Sequence, residues 1–161
     1  MLPYILAAGA LLAVIAAAFG GGNSSGAATR LADNQGQRIA SQAHLIAGEL
    51  SACTVNYPTG LNGTAYRATY PAALTTTNIE TLTCPGKPAG VNALFATLGS
   101  ASAPPALNGF VGWRFINDAT SARLVLDAND ANGVPGLLRS AQYLGPQASV
   151  TGQTLTFTIQ Q

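Results

Sequence analysis

The distribution of apolar side chains divides the chain into an oily start, a helical middle and an alternating end. Residues 2–19 form an almost continuous apolar run, and residues 1–22 contain no charged side chain. A helix over this run, rising about 1.5 Å per residue, would be roughly 27 Å long, close to the thickness of a bilayer's hydrocarbon core. The run therefore predicts a membrane span, a signal peptide or a helix buried in an assembly.

A glycine-rich stretch follows the apolar run. Residues 20–26 contain four glycines around an Asn-Ser-Ser segment, and glycine disfavours a helix interior by about 1 kcal/mol per position. We expect a break, a kink or an extended passage over these residues, with Gly20, Gly21 and Gly22 at its start.

From residue 27 to about residue 52 the apolar positions recur with the period of an amphipathic helix. They share a stripe of about 120° on a helical wheel and comprise Ala28, Leu31, Ala32, Ile39, Ala43, Ile46 and Leu50. His44 falls on the opposite, polar side, which predicts an exposed helical histidine rather than a ligand. The helix should stop before the Asn56-Tyr57-Pro58 segment, since the residue preceding a proline is disfavoured in a helical conformation.

The segment after this helix predicts a long connection. Proline and glycine punctuate residues 57–90, as is typical of loops. Short extended pieces are expected at residues 65–70 and 79–82, and a short helix at 91–98 with Leu94, Phe95 and Leu98 facing inward. A further loop is expected over residues 99–109.

The last third of the chain predicts antiparallel strands. Residues 112–116 and 122–127 flank an Asn-Asp-Ala-Thr turn sequence, which indicates a hairpin. Residues 127–136 predict a polar loop. Residues 154–159 alternate strictly between polar and apolar, which is the signature of a half-buried strand, and 148–150 are its expected hairpin partner.

The predicted fold class is α+β, with a long N-terminal hydrophobic-then-amphipathic helix packed on a small C-terminal antiparallel β-sheet. Its four segments are a hydrophobic assembly or transmembrane helix with a Gly-rich break at 1–26, an amphipathic helix at 27–56, a loop region at 57–110 and the sheet at 111–161. A sheet with one apolar face needs a cover, and the amphipathic helix has the matching stripe.

Charge is scarce in this chain. Charged residues make up 8% of the sequence, against a usual share of about 25%, and 7 basic side chains nearly cancel 6 acidic ones. No basic patch is dense enough to hold a phosphate backbone, so nucleic acid is not an expected partner. Low net charge favours association, which suits a subunit that packs against copies of itself, although an ordinary extracellular domain with a neutral exterior fits as well.

The only two cysteines are Cys53 and Cys84. An even count in a chain that looks exported favours one disulfide. Closing a loop of about thirty residues would stabilise the fold by roughly 3–4 kcal/mol in the chain-entropy model. A metal site needs more ligands than these cysteines and the single histidine provide.

No catalytic constellation is visible, so we expect no enzyme activity and no cofactor. The segment at residues 127–133 repeats side-chain oxygens, but its spacing departs from the EF-hand template, and a polar turn is favoured over a calcium loop. Asn23 and Asn62 fit the N-glycosylation pattern, and a threonine run at 75–77 is a possible acceptor of O-linked sugars. The aromatic side chains expected in the core beneath the helix are Phe110, Trp113 and Phe115, with a ligand-binding aromatic platform as the less favoured alternative.

The start of the chain lacks the basic flank that precedes the apolar core of a secretory signal. The first basic residue is Arg30. We therefore expect Met1 to be the first residue of a processed chain from which a leader has been removed.

These features together resemble the type IV pilins and their pseudopilin relatives. The resemblance rests on the uncharged Met-Leu-Pro-Tyr-Ile-Leu opening, the apolar run to Phe19, the glycine-rich stretch, the amphipathic continuation and the C-terminal strands. It implies that a dedicated peptidase removes a basic leader and that the new terminal amine is methylated. The helix would lie in the inner membrane before assembly and then form the hydrophobic core of a helical filament.

The fifth position departs from the family pattern. Family members usually carry a glutamate there, which pairs with a neighbour's terminal amine, whereas this chain has Ile5 and its first acidic residue is Asp33. An unpaired amine in an apolar core is costly. Packing alone would then set the register, or the amine would find a backbone carbonyl, or the chain belongs to an unusual branch such as the minor, tip-located members.

The leading hypothesis is therefore a structural subunit of an extracellular type IV pilus-like filament. Its partners would be copies of itself, the inner membrane before assembly and the pilus assembly machinery. The contacts expected in the filament core are Leu2, Leu6, Leu11, Leu12, Val14, Ile15 and Phe19. The alternatives are a membrane-anchored minor pilin or pseudopilin, a surface binding module, and a secreted enzyme with an uncut signal.

Overall fold

One long helix and one short helix cover the same face of an antiparallel sheet. The computed structural model describes residues 23–57, 76–84, 93–95, 103–117 and 121–160. The helices are α1 (Asn23–Asn56) and α2 (Val134–Leu144), and short 3-10 turns occupy Ile79–Thr81, Ala131–Gly133 and Gly145–Gln147. The α+β class predicted from the sequence is confirmed.

Five strands form the sheet, in the spatial order β1-β2-β3-β5-β4, and every neighbouring pair is antiparallel. They are β1 (Thr76–Asn78), β2 (Arg114–Asn117), β3 (Ala122–Asp127), β4 (Ala148–Thr151) and β5 (Thr154–Gln160). Both predicted hairpins are confirmed. The β4–β5 hairpin pairs Thr151 with Thr154 across two residues, and Gly152 takes a φ of +59° there, as tight hairpin turns of this length require.

The hydrophobic core lies between the sheet and the two helices. The buried stripe of α1, which includes Ile39, Ile46 and Leu50, belongs to one cluster with the inward side chains of the sheet. Those inward side chains alternate along the strands, as the pleat requires, and comprise Phe115, Leu124, Leu126, Leu155 and Phe157. Phe110 and Trp113 are also buried in this cluster, so the predicted placement of the three aromatic residues is confirmed.

The second helix, α2, was not predicted. The polar loop expected at residues 127–136 ends early, because a 3-10 turn at Ala131–Gly133 leads directly into α2 at Val134. α2 packs against α1 more extensively than any other pair of elements does. At this crossing Gly36 of α1 lies against the backbone of Arg139 and Ser140, and the Arg139 guanidinium pairs with Asp33 at 3.0 Å.

The predictions for the start, the apolar stripe and the end of α1 compare differently with the structure. Residues 23–26 are helical, so the expected interruption does not reach them, while Gly20, Gly21 and Gly22 lie outside the described residues. Of the predicted apolar stripe, Ala28 and Leu31 are exposed. The prediction was wrong for these two, because the first buried residue of α1 in the described part of the chain is Ala32. The helix ends at Asn56, one residue later than predicted and still ahead of Pro58.

The connecting region also departs from the prediction in two places. Residues 79–81 form a 3-10 turn instead of a strand, and the strand lies just before them in β1. Residues 93–95 are not helical. Ala93 forms an isolated bridge with Thr83, and the Leu94 amide donates to the Leu82 carbonyl at 2.8 Å. Leu94 is nevertheless buried, as expected.

The predicted disulfide is present. Cys53, in the last turn of α1, is bonded to Cys84, and their Cα atoms are 5.8 Å apart. Both residues are buried. The bond therefore ties the carboxyl end of α1 to the segment that follows β1.

Candidate functional site

The side of α1 that faces away from the core carries a continuous row of exposed residues, which we call the α1 seam. Its members follow one another at alternating intervals of four and three and are Ala27, Leu31, Asn34, Arg38, Ser41, Leu45, Gly48, Ala52 and Val55. This spacing averages half a heptad and places them in one line along the helix. Every one of them is exposed.

Apolar and small residues dominate the α1 seam. Leu31, Leu45 and Val55 are 59%, 38% and 66% exposed. The other apolar or small members are Ala27, Gly48 and Ala52, and Arg38 is the only charged member. Large and small apolar side chains at this spacing are the combination that another helix packs against.

The opposite stripe of α1 is fully buried in the core. Ile39, Ala43, Ile46 and Leu50 have no exposed surface. α1 thus presents apolar side chains on two sides, whereas a helix on the surface of a monomer is usually polar on its outer side. The longest unbroken run of exposed apolar or small members is Leu45, Gly48, Ala52 and Val55, whereas Asn34, Arg38 and Ser41 separate this run from Leu31. Contiguous exposed apolar residues mark interaction surfaces more often than scattered ones do.

The residues predicted to form a filament core lie outside the described residues. They are Met1, Leu2, Leu6, Leu11, Leu12, Val14, Ile15 and Phe19. Within the ranges that the structure describes, no helix combines the length and apolarity needed to cross a membrane.

His44 is exposed on α1, as its place on the helical wheel predicts. Its ring meets that of Phe157 edge-on, with the ring centroids 5.8 Å apart and the planes at 79°. Phe157 is an inward residue of β5. His44 therefore covers the rim of the core beside the α1 seam, and this contact gives it a packing role.

The oxygen-rich segment at residues 127–133 serves the fold. The Asp127 carboxylate accepts hydrogen bonds from Arg114 and, at 2.7 Å, from the Thr154 hydroxyl. The Asp130 carboxylate accepts from the Asn132 amide at 2.8 Å and so caps the 3-10 turn that precedes α2. In the described parts of the chain, no three metal-ligating side chains come together.

Sequence reasoning found the buried stripe of α1 but not the α1 seam. The signal was present in the spacing of Leu31, Leu45 and Val55, which fits a heptad. It was hidden because Leu31 also falls on the edge of the buried stripe, and only the fold shows where the domain stops covering α1.

Comparisons of this chain with protein families, characterised proteins and solved structures gave no significant match. Its function is therefore argued from its own residues and geometry.

Proposed function

We propose that this chain is the structural subunit of an extracellular, type IV pilus-like filament that polymerises through its N-terminal helix. The apolar run at residues 1–22 and the low charge of the chain support this proposal. The α1 seam carries it, because it leaves the apolar side chains of Leu31, Leu45 and Val55 exposed along α1 in the folded part of the chain. In the proposed filament the seam faces the helices of other copies, and the sheet faces outward.

The free energy of burial differs between the apolar run at residues 2–19 and the α1 seam, and so do the roles we assign to them. Burying a whole Leu or Val side chain contributes about 1.5–3 kcal/mol. With the exposed fractions of Leu31, Leu45 and Val55, covering the α1 seam would contribute roughly 3 kcal/mol per subunit, before the costs of association. That is too little to hold a polymer alone. The run at residues 2–19 supplies the main burial, and the seam fixes how neighbouring helices align.

The apolar run and the α1 seam together indicate the proposed partners and location. Before assembly, the apolar run lies in the inner membrane, where the assembly machinery takes up the subunit. In the filament the partners are copies of this chain, related by contacts that do not close on themselves and therefore extend into a fibre. The chain acts as a structural component at the cell surface rather than as a catalyst.

Electron microscopy of sheared cell-surface material, with mass spectrometry of the fibres, tests the proposal. Replacing Leu12 with Arg places a charge in the apolar run and should abolish fibres. Leu45→Arg places a charge in the α1 seam and should reduce fibre number strongly. The matched control is Leu138→Arg on α2, a residue 50% exposed and outside the seam, which should leave fibres intact.

The alternatives predict different images. A membrane-anchored minor pilin, pseudopilin or binding module gives monomers in detergent and no fibres composed mainly of this chain. Fibres of normal number and length from the Leu12→Arg variant would contradict assembly through the apolar run. Equal effects of Leu45→Arg and Leu138→Arg would contradict the role of the α1 seam.

A further inference from the structure

A cavity lies between the 3-10 turn at Ile79–Thr81 and residues 104–113, beside Gln42 of α1. Its volume is about 230 Å³, slightly below the usual range of pockets for drug-sized ligands, which begins near 300 Å³. Its walls combine aromatic, aliphatic and proline side chains with polar groups, which form a substantial part of the lining, and include Gln42, Glu80, Pro105, Phe110, Trp113 and Leu126.

The polar atoms of one wall are already paired within the protein. The Trp113 indole N–H donates to Gln42 Oε1 at 2.9 Å, and Gln42 Nε2 donates to the Pro105 carbonyl at 2.8 Å. The Ile79 amide donates to the Trp113 carbonyl at 3.0 Å. These bonds hold the helix, the loop and the turn together around the cavity. The wall is thus set in place before any ligand enters, which lowers the entropic cost of binding.

Glu80 supplies the only charge among the residues that line the cavity. It is exposed in the 3-10 turn at the rim, and no cation of the described residues forms an ion pair with it. Arg38 lines a separate shallow groove that shares only Gln42 and Pro105 with the cavity. A ligand in the cavity therefore meets aromatic and apolar surface together with one carboxylate.

We propose that this cavity binds a small organic cation of the quaternary-ammonium type. The methyl groups of such a cation match the apolar part of the lining, and its diffuse positive charge is attracted both by aromatic side chains and by a carboxylate. Phe110 and Trp113 supply the aromatic surface, and Glu80 supplies the carboxylate. Binding at this site does not depend on the filament proposal, since no member of the α1 seam lines the cavity.

The single tryptophan of the chain gives a direct readout, because all tryptophan emission comes from Trp113 in the cavity wall. The full chain is held in a maltoside detergent, which has no ammonium group, and titrated with choline. The control ligand is 3,3-dimethyl-1-butanol, which has the same shape as choline but no charge. We expect a saturable change in Trp113 emission with choline, and affinity about tenfold weaker for the alcohol.

Three variants locate the site. Glu80→Gln removes the rim charge and should weaken choline binding about tenfold, whereas Glu49→Gln removes an equal charge from α1, outside the cavity lining, and should leave binding unchanged. Ala106→Phe adds a ring at an exposed lining position and should block binding, with circular dichroism to verify folding. Absence of a saturable response to choline, equal affinity for both ligands, or equal effects of the two glutamate variants would overturn the proposal.

Discussion

The crossing of the two helices can be tested by adding a single methyl group to it. At Gly36 an added Cβ would lie 2.5 Å from the Arg139 Cβ and 3.0 Å from the Ser140 amide nitrogen. Carbon atoms in contact are normally about 3.5–4.0 Å apart. Gly36→Ala therefore forces α2 to move away from α1 by about 1 Å. Gly48→Ala is the matched control, because a Cβ there meets nothing within 4 Å.

The magnitude follows from two opposing effects. Replacing glycine by alanine inside a helix stabilises it by about 0.5–1 kcal/mol, and Gly48→Ala should show this gain in full. At Gly36 the gain is opposed by overpacking, which typically costs about 1–3 kcal/mol. The displacement also stretches the Asp33–Arg139 ion pair and loosens the packing of fully buried Leu137. We expect a net loss of about 1–2 kcal/mol for Gly36→Ala.

The assay is urea unfolding of both variants in the same detergent, followed by far-UV circular dichroism and by Trp113 fluorescence. The free energies of unfolding of the two alanine variants should differ by about 1.5–3 kcal/mol, with Gly36→Ala the less stable. If Gly36→Ala were as stable as Gly48→Ala, the close approach of α2 to α1 described above would be wrong.

Two further predictions concern the links that hold α1 to the rest of the fold. Replacing both Cys53 and Cys84 with serine should lower the free energy of unfolding by about 3–4 kcal/mol, measured by urea titration; an unchanged midpoint would contradict a structural role of the bond. Gln42→Leu should cost about 1–3 kcal/mol, because the Trp113 indole N–H loses its acceptor in a buried position. The same titration, followed by Trp113 emission, measures this loss, and wild-type stability would show that the hydrogen bond is dispensable.

Regular patterns in the sequence were sufficient to predict most of the sheet and α1. The strict alternation at 154–159 corresponds to β5, and the two segments that flank the predicted turn correspond to β2 and β3. These patterns are regular because a half-buried strand or helix presents one apolar face to the core, so its apolar residues recur with the period of that element. The sequence also places the two cysteines in a disulfide, since no other pairing is available.

α2 escaped prediction because its first turn contains the residues that usually end helices. Pro135 and Gly136 suggest a loop, yet proline is well suited to the first turn of a helix, where its missing N–H has no helical partner in any case. Gly136 lies against the side chain of Gln35, and a Cβ there would approach the Gln35 amide oxygen to 2.9 Å. Its role comes from a tertiary contact, which local pattern reading does not reveal.

The α1 seam and the cavity differ in how far they can be predicted from the sequence. The spacing of Leu31, Leu45 and Val55 indicates the α1 seam, but the exposure of the seam depends on how much of α1 the rest of the domain covers. The cavity has no local signature, because Gln42, Glu80 and Trp113 come from three separate segments. Only the packing of the turn at Ile79–Thr81 against residues 104–113 brings them together.

The central claim is that the α1 seam is covered by other copies of the chain, and cysteine labelling measures this most directly. Leu45→Cys and Leu138→Cys each place a thiol at an exposed position. Both native cysteines are bonded to each other, so the described chain has no other free thiol to label. A water-soluble maleimide should label both thiols in detergent-solubilised monomers. In sheared fibres the account predicts protection of the thiol at position 45 and continued labelling at position 138; rapid labelling at position 45 in intact fibres would contradict it.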